Sequence, residues 1–323
     1  MRLHFATTHA PKPNLRTKTK RIPLTRHSSK MTSPLPSLPP ITHLSASTTR
    51  ILGANPSKFT LQGTNTYLLG TGPSRLLIDT GEGKPEWADS LRSVLAEEKA
   101  SVRTVLLTHW HGDHVGGVGQ VQELMGKEGV EVEVRKHASP SGREEGAGWG
   151  EIRNGEVFEV EGVKVRAVYT PGHADDHCVF VVEGGGEDGT VFAGDNVLGH
   201  GTAVFEDLAA YMDSLARMEG LVKGKLYCAH GEAVEDGKAK VREYIEHRMA
   251  REREAVEVLG REKDGGWGSM EMVKVIYAKY PEGLHGPAER GLKLVLKKLE
   301  GEGKVRQEGG KWMLAAGGKE GRL

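Results

Sequence analysis

Cysteine is nearly absent from this chain of 323 residues: there are only Cys178 and Cys228, each inside an apolar run. Two cysteines allow at most one disulfide, and buried free thiols in an intracellular compartment are the expectation. No apolar run approaches the roughly 18–20 residues that cross a bilayer, so no membrane partner is expected. Aromatic residues make up 6% and apolar residues 37%, low values but still those of a globular chain. This length accommodates one domain of about 200 residues and a second of ~80. Acidic residues are missing from positions 1–78, which hold 11 Lys and Arg. Positions 79–235 then carry 14 basic against 29 acidic residues, and positions 236–323 carry 19 against 15, so +11, −15 and +4 sum to the net charge of zero. Such an acidic middle segment does not point to nucleic acid as a partner, because nucleic-acid binders present basic surface.

The first thirty residues are rich in Lys, Arg, Thr and Ser and lack acid, the composition of a mitochondrial presequence. Pro11, Pro13 and Pro23 interrupt any long amphipathic helix there, so a disordered basic leader is the competing reading. The location expected is the mitochondrial matrix, otherwise the cytoplasm, with Met31 available as an internal start. Residues 31–43 are rich in Pro and Ser and read as a linker, which makes 1–43 a leader.

Residues 44–235 read as the first domain. Short β-type runs at 48–52, 66–69 and 76–78 are separated by turn residues, and 87–99 has helical apolar spacing. A strand at 103–107 precedes the motif Thr108-His-Trp-His-Gly-Asp-His, and a helix is expected at 115–125, with Gly116 and Gly117 permitting close backbone approach. Runs at 163–169, 190–193 and 225–228 each end in a tight turn that presents one His or Asp. Residues 236–323 form the second domain: helices at 238–259, 270–280 and 288–299, then two short strands about Gly309-Gly310, an order that resembles a winged-helix module.

A lone His is more often a surface or core residue than a ligand. The cluster His109, His111, Asp113 and His114 is different, because burying four such groups behind a strand is costly without a partner. Imidazole and carboxylate are ligands for zinc and similar divalent ions. His109 and His111, two apart on an extended segment, project to one side and can share an ion. With His173, Asp195 and His230 at downstream strand ends, two sets form. His109, His111 and His173 would hold one ion; Asp113, His114 and His230 would hold the other, with Asp195 bridging them. Two such ions share a hydroxide at near-neutral pH, which attacks a carbonyl carbon or phosphorus. Asp79, after the strand at 76–78, is placed to orient a ligand imidazole. His177 and Asn65 are candidates to line the substrate cleft, and residues 199–202, including Thr202, to form a flexible loop over it.

The pattern His-x-His-x-Asp-His followed by single His, Asp and His resembles the metallo-β-lactamase superfamily. Further blocks, Ile51-Leu-Gly-Ala-Asn-Pro, Thr60-Leu-Gln-Gly-Thr-Asn-Thr-Tyr-Leu, Thr170-Pro-Gly-His-Ala-Asp-Asp-His and Gly201-Thr-Ala-Val-Phe-Glu-Asp-Leu, are similar to its β-lactamase-like protein 2 branch over roughly residues 50–314. The resemblance implies an α/β fold, an αββα sandwich with a C-terminal winged-helix-like module, and two divalent metal ions, zinc foremost. Two activities are implied, an endoribonuclease acting on single-stranded RNA, which is the first expectation, and a thioesterase acting on an acyl-carrier protein in polyketide biosynthesis. In both, Asp113 belongs to the catalytic centre. One departure stands out: Tyr227-Cys228-Ala229 precedes His230 where the family usually has Pro-Gly, so a changed loop shape is expected.

Overall fold

The computed structural model describes residues 35–143, 148–261 and 263–315. The expected presequence at residues 1–30 lies outside them. The described chain opens with strands β1 (Ile41–His43), β2 (Thr48–Leu52), β3 (Asn65–Leu69) and β4 (Ser74–Ile78), each antiparallel to the one before. Helix α1 (Pro85–Glu98) carries the chain back to β5 (Ser101–Leu107), parallel to β4. Two helices, α2 (Gly112–Val115) and α3 (Val118–Gly126), lead to β6 (Glu133–Lys136) and β7 (Gly150–Glu151), which complete a seven-stranded sheet in chain order. The second sheet has five strands. Strands β8 (Val157–Val160), β9 (Val163–Tyr169), β10 (Cys178–Val182) and β11 (Val191–Gly194) run antiparallel, helix α4 (Leu208–Leu221) follows, and β12 (Leu226–Cys228) lies parallel to β11. Helices α5 (Gly237–Leu259), α6 (Ser269–Ile276) and α7 (His285–Gly301) precede a hairpin of β13 (Val305–Glu308) and β14 (Lys311–Leu314).

Alternation along the strands dictates the layers, since successive side chains leave opposite faces. In β10, Cys178, Phe180 and Val182 point to the space between the sheets, where they meet Tyr67, Leu69, Ile78 and Leu106. Val179 and Val181 point outward into a cluster with Tyr211, Leu215 and Met218 of α4. The first sheet turns Leu68, Leu77 and Val105 toward Trp87, Leu91 and Val94 of α1 and Val121 and Met125 of α3. Both sheets are therefore covered on both faces, helix–sheet–sheet–helix, which is why their central strands read as unbroken apolar runs.

Two boundaries differ from the sequence reading. Ile41 pairs with Ile51, so β1 draws 41–43 out of the expected linker and into the sheet. The helix expected at 115–125 divides, because the backbone at Gly117 passes so close to Thr80 that an added Cβ would lie 2.1 Å from its carbonyl oxygen. The expected domain boundary at 235/236 coincides with the start of α5, where Asp236 accepts a hydrogen bond from the Ala239 N–H. The apolar core nevertheless runs across it without a break, from Val191 and Leu215 through Tyr244 and Val258 to Leu296 and Trp312. Strands β6, β7, β8 and β10 carry no clear apolar alternation in the sequence. In β6, for example, a buried Lys136 interrupts the apolar signal, and its ammonium is paired with buried Asp176 at 2.6 Å. Among the described residues no helix is long and apolar enough to cross a membrane, and both cysteines are buried free thiols.

Candidate metal centre

Asp79 follows β4 with a left-handed backbone (φ 59°), a conformation that Asp adopts more readily than most side chains. That turn aims its carboxylate at the end of β5. It accepts hydrogen bonds from the Thr108 N–H (2.8 Å), the Thr108 hydroxyl (2.9 Å) and His114 Nδ1 (2.8 Å). With its proton given to Asp79, the Thr108 oxygen is left to accept from His109 Nδ1 at 2.9 Å. One buried carboxylate thus fixes two imidazoles with their Nε2 lone pairs facing the cleft, an arrangement that metal-binding histidines commonly need. His173 is fixed in the same way by the backbone carbonyl of Val204, 2.9 Å from its Nδ1.

His109 Nε2, His111 Nδ1 and His173 Nε2 converge within 2.9, 3.1 and 3.2 Å of one another. Asp195 Oδ2 lies 3.5 Å from His173 Nε2. Asp113 Oδ2 stands 3.4 Å from His114 Nε2 and 3.3 Å from His230 Nε2, and Asp195 Oδ1 is 3.6 and 3.2 Å from the same nitrogens. The cluster can bind metal ions in two groups, His109, His111, His173 and Asp195 in one and Asp113, His114 and His230 in the other. The two oxygens of Asp195 divide between them.

The fit to cations follows from the protons. His109 and His173 both have their Nδ1 protons engaged, so two Nε2 lone pairs face each other at 3.2 Å. A single proton on His111 cannot satisfy both. Nitrogens on a tetrahedral ion at 2.0–2.1 Å would be separated by about 3.3 Å, close to what is seen. His114 Nε2 and Asp195 Oδ1 are buried without a hydrogen-bond partner, as ligand atoms facing an ion would be.

Electrostatics separates the two groups. Burial, with His114 and His173 nearby, keeps His109 well below the usual imidazole pKa, and burial with His173 lowers His111 to about 4. Both are neutral donors at physiological pH. Burial opposes the charge on His230, but Asp195 and Asp113 outweigh it and raise the pKa to about 9. His114 moves the same way under Asp79, Asp113 and Asp195, again against burial. Burial pushes Asp113 and Asp195 up, and the imidazolium-like partners His114 and His230 override it and hold both far below the carboxylate range. In the absence of metal the second group holds protons where cations would sit.

The cluster floors a cleft of about 840 Å³ whose walls are residues 54–61, Glu82 and Lys84, and 200–204. Thr202 lies in that wall, and exposed Phe59 and Val204 (70% and 69%) stand at its rim. The loop at 199–202 is tied at its first residue, where the Gly199 N–H donates to the His230 carbonyl at 2.8 Å. Asn65 and His177 do not line the cleft. Asn65 is buried and clamps the His230 loop through the carbonyls of Cys228 (2.9 Å) and Gly231 (2.8 Å). His177 is buried behind Asp195 and accepts its backbone N–H at 3.1 Å. Strand alternation turns such residues inward, which a linear reading of polar residues near the motif does not register.

Ala229 causes no strain. The left-handed residue of this turn is Gly231 (φ 88°), after the ligand rather than before it. Cys228 packs in the apolar core, where burial pushes its thiol up to about 12. Two residues not singled out from the sequence support Asp113. The Thr64 hydroxyl donates to its Oδ2 at 3.1 Å, and Asn55 Nδ2 donates to that hydroxyl at 3.1 Å. Both belong to the blocks that carry the family resemblance, which was their signal.

Two sheets sandwiched by helices, with a His/Asp metal cluster at the strand ends, define a hydrolase of the metallo-β-lactamase class. The chain belongs to the metallo-β-lactamase superfamily: that family's model matches residues 59–230, and a β-lactamase-associated winged helix domain matches residues 268–312. It is 42% identical over 242 residues to atrochrysone carboxyl ACP thioesterase of Aspergillus chevalieri, covering 72% of this chain and 74% of that one. It is 41% identical over 243 residues to the β-lactamase-like protein 2 homolog of Drosophila melanogaster, covering 72% and 80%. Among solved structures, a β-lactamase domain protein from Burkholderia ambifaria has a TM-score of 0.71 at 17% identity, with 85% of this chain and 93% of that one covered.

Proposed function

We propose that this hydrolase is a thioesterase that cleaves an acyl thioester carried on an acyl-carrier protein. The observation that carries the reading is the character of the cleft. Phe59, Leu61, Leu198, Ala203 and Val204 give it apolar walls and rim, with Lys58 and Lys84 as the only Lys or Arg among the described residues that line it, and Lys84 lies 3.5 Å from Glu82. An apolar acyl chain suits such walls. A phosphodiester backbone does not suit them, because its affinity comes from arrays of Lys and Arg. The similarity to the Aspergillus thioesterase supports the same choice. Single-stranded RNA, the first expectation from the sequence, becomes the second reading, favoured only by Phe59 with Lys58 Nζ 4.7 Å from its ring, a stacking platform beside a cation.

Two divalent ions on the His/Asp cluster, zinc suiting its nitrogen-rich donors, would polarise the thioester carbonyl and acidify water. The net reaction adds one water, breaks the C–S bond and yields a carboxylic acid and a thiol. Asp113, anchored by the Thr64 hydroxyl and part-exposed to the cleft, is placed to orient the attacking water. Its strongly depressed pKa makes it an acceptor of that hydrogen bond rather than a store for the proton. Phe59, Leu61 and Val204 offer apolar surface against which the acyl group would pack.

Side-by-side turnover of an acyl thioester on an acyl-carrier protein and of unstructured RNA is the test. Thioester hydrolysis should dominate and should disappear on chelation or in Asp113→Asn. RNA cleavage with the thioester untouched would sink the proposal.

A further inference from the structure

We propose that the helices after residue 236 form a second ligand site, selective for an aromatic carboxylic acid and joined physically to the catalytic cleft. A cavity of about 400 Å³ lies among α5, the end of α6, α7 and Phe205, within the range of small-molecule sites. Ile276, Leu292 and Val295 make it apolar, and Phe205, Tyr277 and Tyr280 supply aromatic faces. Arg248 and Arg251 line it against one carboxylate, Glu254, which pairs with Arg251 at 2.8 Å. That leaves Arg248 in excess.

Arg248 is 8% exposed, and its Nε is buried without a hydrogen-bond partner. Its described interactions are hydrogen bonds from Nη2 to the Ala203 carbonyl (2.6 Å) and from the guanidinium to the Tyr211 hydroxyl, together with the ring faces of Phe205 and Tyr211 (4.7 and 5.8 Å). None of these partners is an anion. A buried guanidinium without a carboxylate is costly, and a ligand carboxylate is its natural complement. An aromatic body behind that carboxylate would meet Tyr277, Tyr280 and Phe205.

The link to the cleft is three residues long. The Ala203 carbonyl takes the Arg248 bond, the Val204 carbonyl holds His173 Nδ1 at 2.9 Å, and Phe205 lines the second cavity. A carboxylate that draws Arg248 toward itself therefore acts on the segment that orients a histidine of the metal cluster. Resting on the thioesterase reading, the occupant belongs to the class of that reaction's product, a free carboxylic acid, and the site would sense product.

The test is calorimetric titration of the metal-loaded full chain with 2-naphthoate and with neutral 2-naphthamide. The carboxylate should bind at least about tenfold more tightly, the effect of one charge-assisted pair. Gly291 lines the cavity, and a Cβ there would meet nothing within 4 Å, so Gly291→Phe should fill the space and abolish binding. Arg251→Gln, a part-exposed change that spares the core, leaves Glu254 without its cation beside the incoming carboxylate, and should weaken 2-naphthoate while leaving 2-naphthamide unaltered. Equal binding of the two probes, or full 2-naphthoate binding in a folded Gly291→Phe protein, overturns the inference. Absent thioester turnover with naphthoate binding intact would instead count against the thioesterase reading alone.

Discussion

Asp79 concentrates three hydrogen bonds on one carboxylate that is buried beneath the metal cluster, and it never reaches the cleft. Asp79→Asn keeps the shape and tolerates the left-handed backbone, but turns a donor toward Thr108 or His114. It should cost about 1–3 kcal/mol of stability through unmet buried donors. Metal affinity should fall about 10–100-fold, measured by competition with a chelator, because His114 and His109 lose their orientation. Unchanged affinity would show that Asp79 serves only the fold. The pKa shifts predict a second residue-scale behaviour, for the metal-free chain. His230, raised to about 9, holds a proton that the unfolded chain gives up near about 6.5, so its contribution is full below that pH and lost as pH rises through 9. His111, lowered to about 4, refuses a proton that the unfolded chain accepts, so stability falls as pH drops from about 6.5 toward 4. The melting temperature of the metal-free protein should peak near pH 6.5 and decline on both sides, and His230→Gln should flatten the alkaline limb. A curve that rises steadily to pH 9.5 would contradict this. The ligand residues were legible in the sequence because four of them are packed into six positions and the others end strands. Asn65 and His177, which the sequence leaves between supporting the ligands and lining the cleft, lie behind the metal layer, and only the packed sheet reveals which side of it a polar residue faces.

Strands β4, β5, β9, β11 and β12 each lead into a segment that presents a residue of the metal cluster or its support, and close backbone approaches hold the segments between them. The sharpest constraint is at Gly117, between α2 and α3, where a Cβ would lie 2.1 Å from the Thr80 carbonyl oxygen and 2.6 Å from the Trp87 ring. That closeness lets Thr80 hold the His114 carbonyl through its N–H (2.7 Å) and hydroxyl (2.8 Å). Gly117→Ala should therefore destabilise the protein by about 3 kcal/mol by overpacking against backbone, read from urea unfolding. Two residues on, Gly119 has nothing within 4 Å of a Cβ position, and Gly119→Ala should stabilise α3 by about 0.5–1 kcal/mol through helix propensity alone. Equal effects at the two positions would dismiss the close approach as the reason for the helix break. The sequence showed the glycine pair but not the break, since apolar spacing continues through Val115, Val118 and Val121, and periodicity carries no information about Thr80.

At the scale of the whole molecule the question is whether two family matches mean two units of stability. The chain suggests two pieces by its charge shift near residue 236, and the family models end and resume on either side of α5. The packing suggests one, because α5 lies between α4 and α7 inside a single apolar cluster. Within it Lys298 of α7 holds Glu252 of α5 at 2.9 Å, with the carboxylate residue 4% exposed. Lys298→Met would leave that carboxylate buried without its cation, which costs about 3 kcal/mol or more. If the C-terminal helices were an independent domain, the loss would appear as an early transition of their own, with the metal-bearing sheets melting as before. With a shared core, scanning calorimetry of the metal-loaded chain should show one transition, and Lys298→Met should move all of it down by about 5 °C or more, metal release included. The double variant Glu252→Gln with Lys298→Met should recover part of the shift, because the uncompensated charge is gone. A split transition in the single variant, with the later step unmoved, would establish two domains and return the boundary to residue 236.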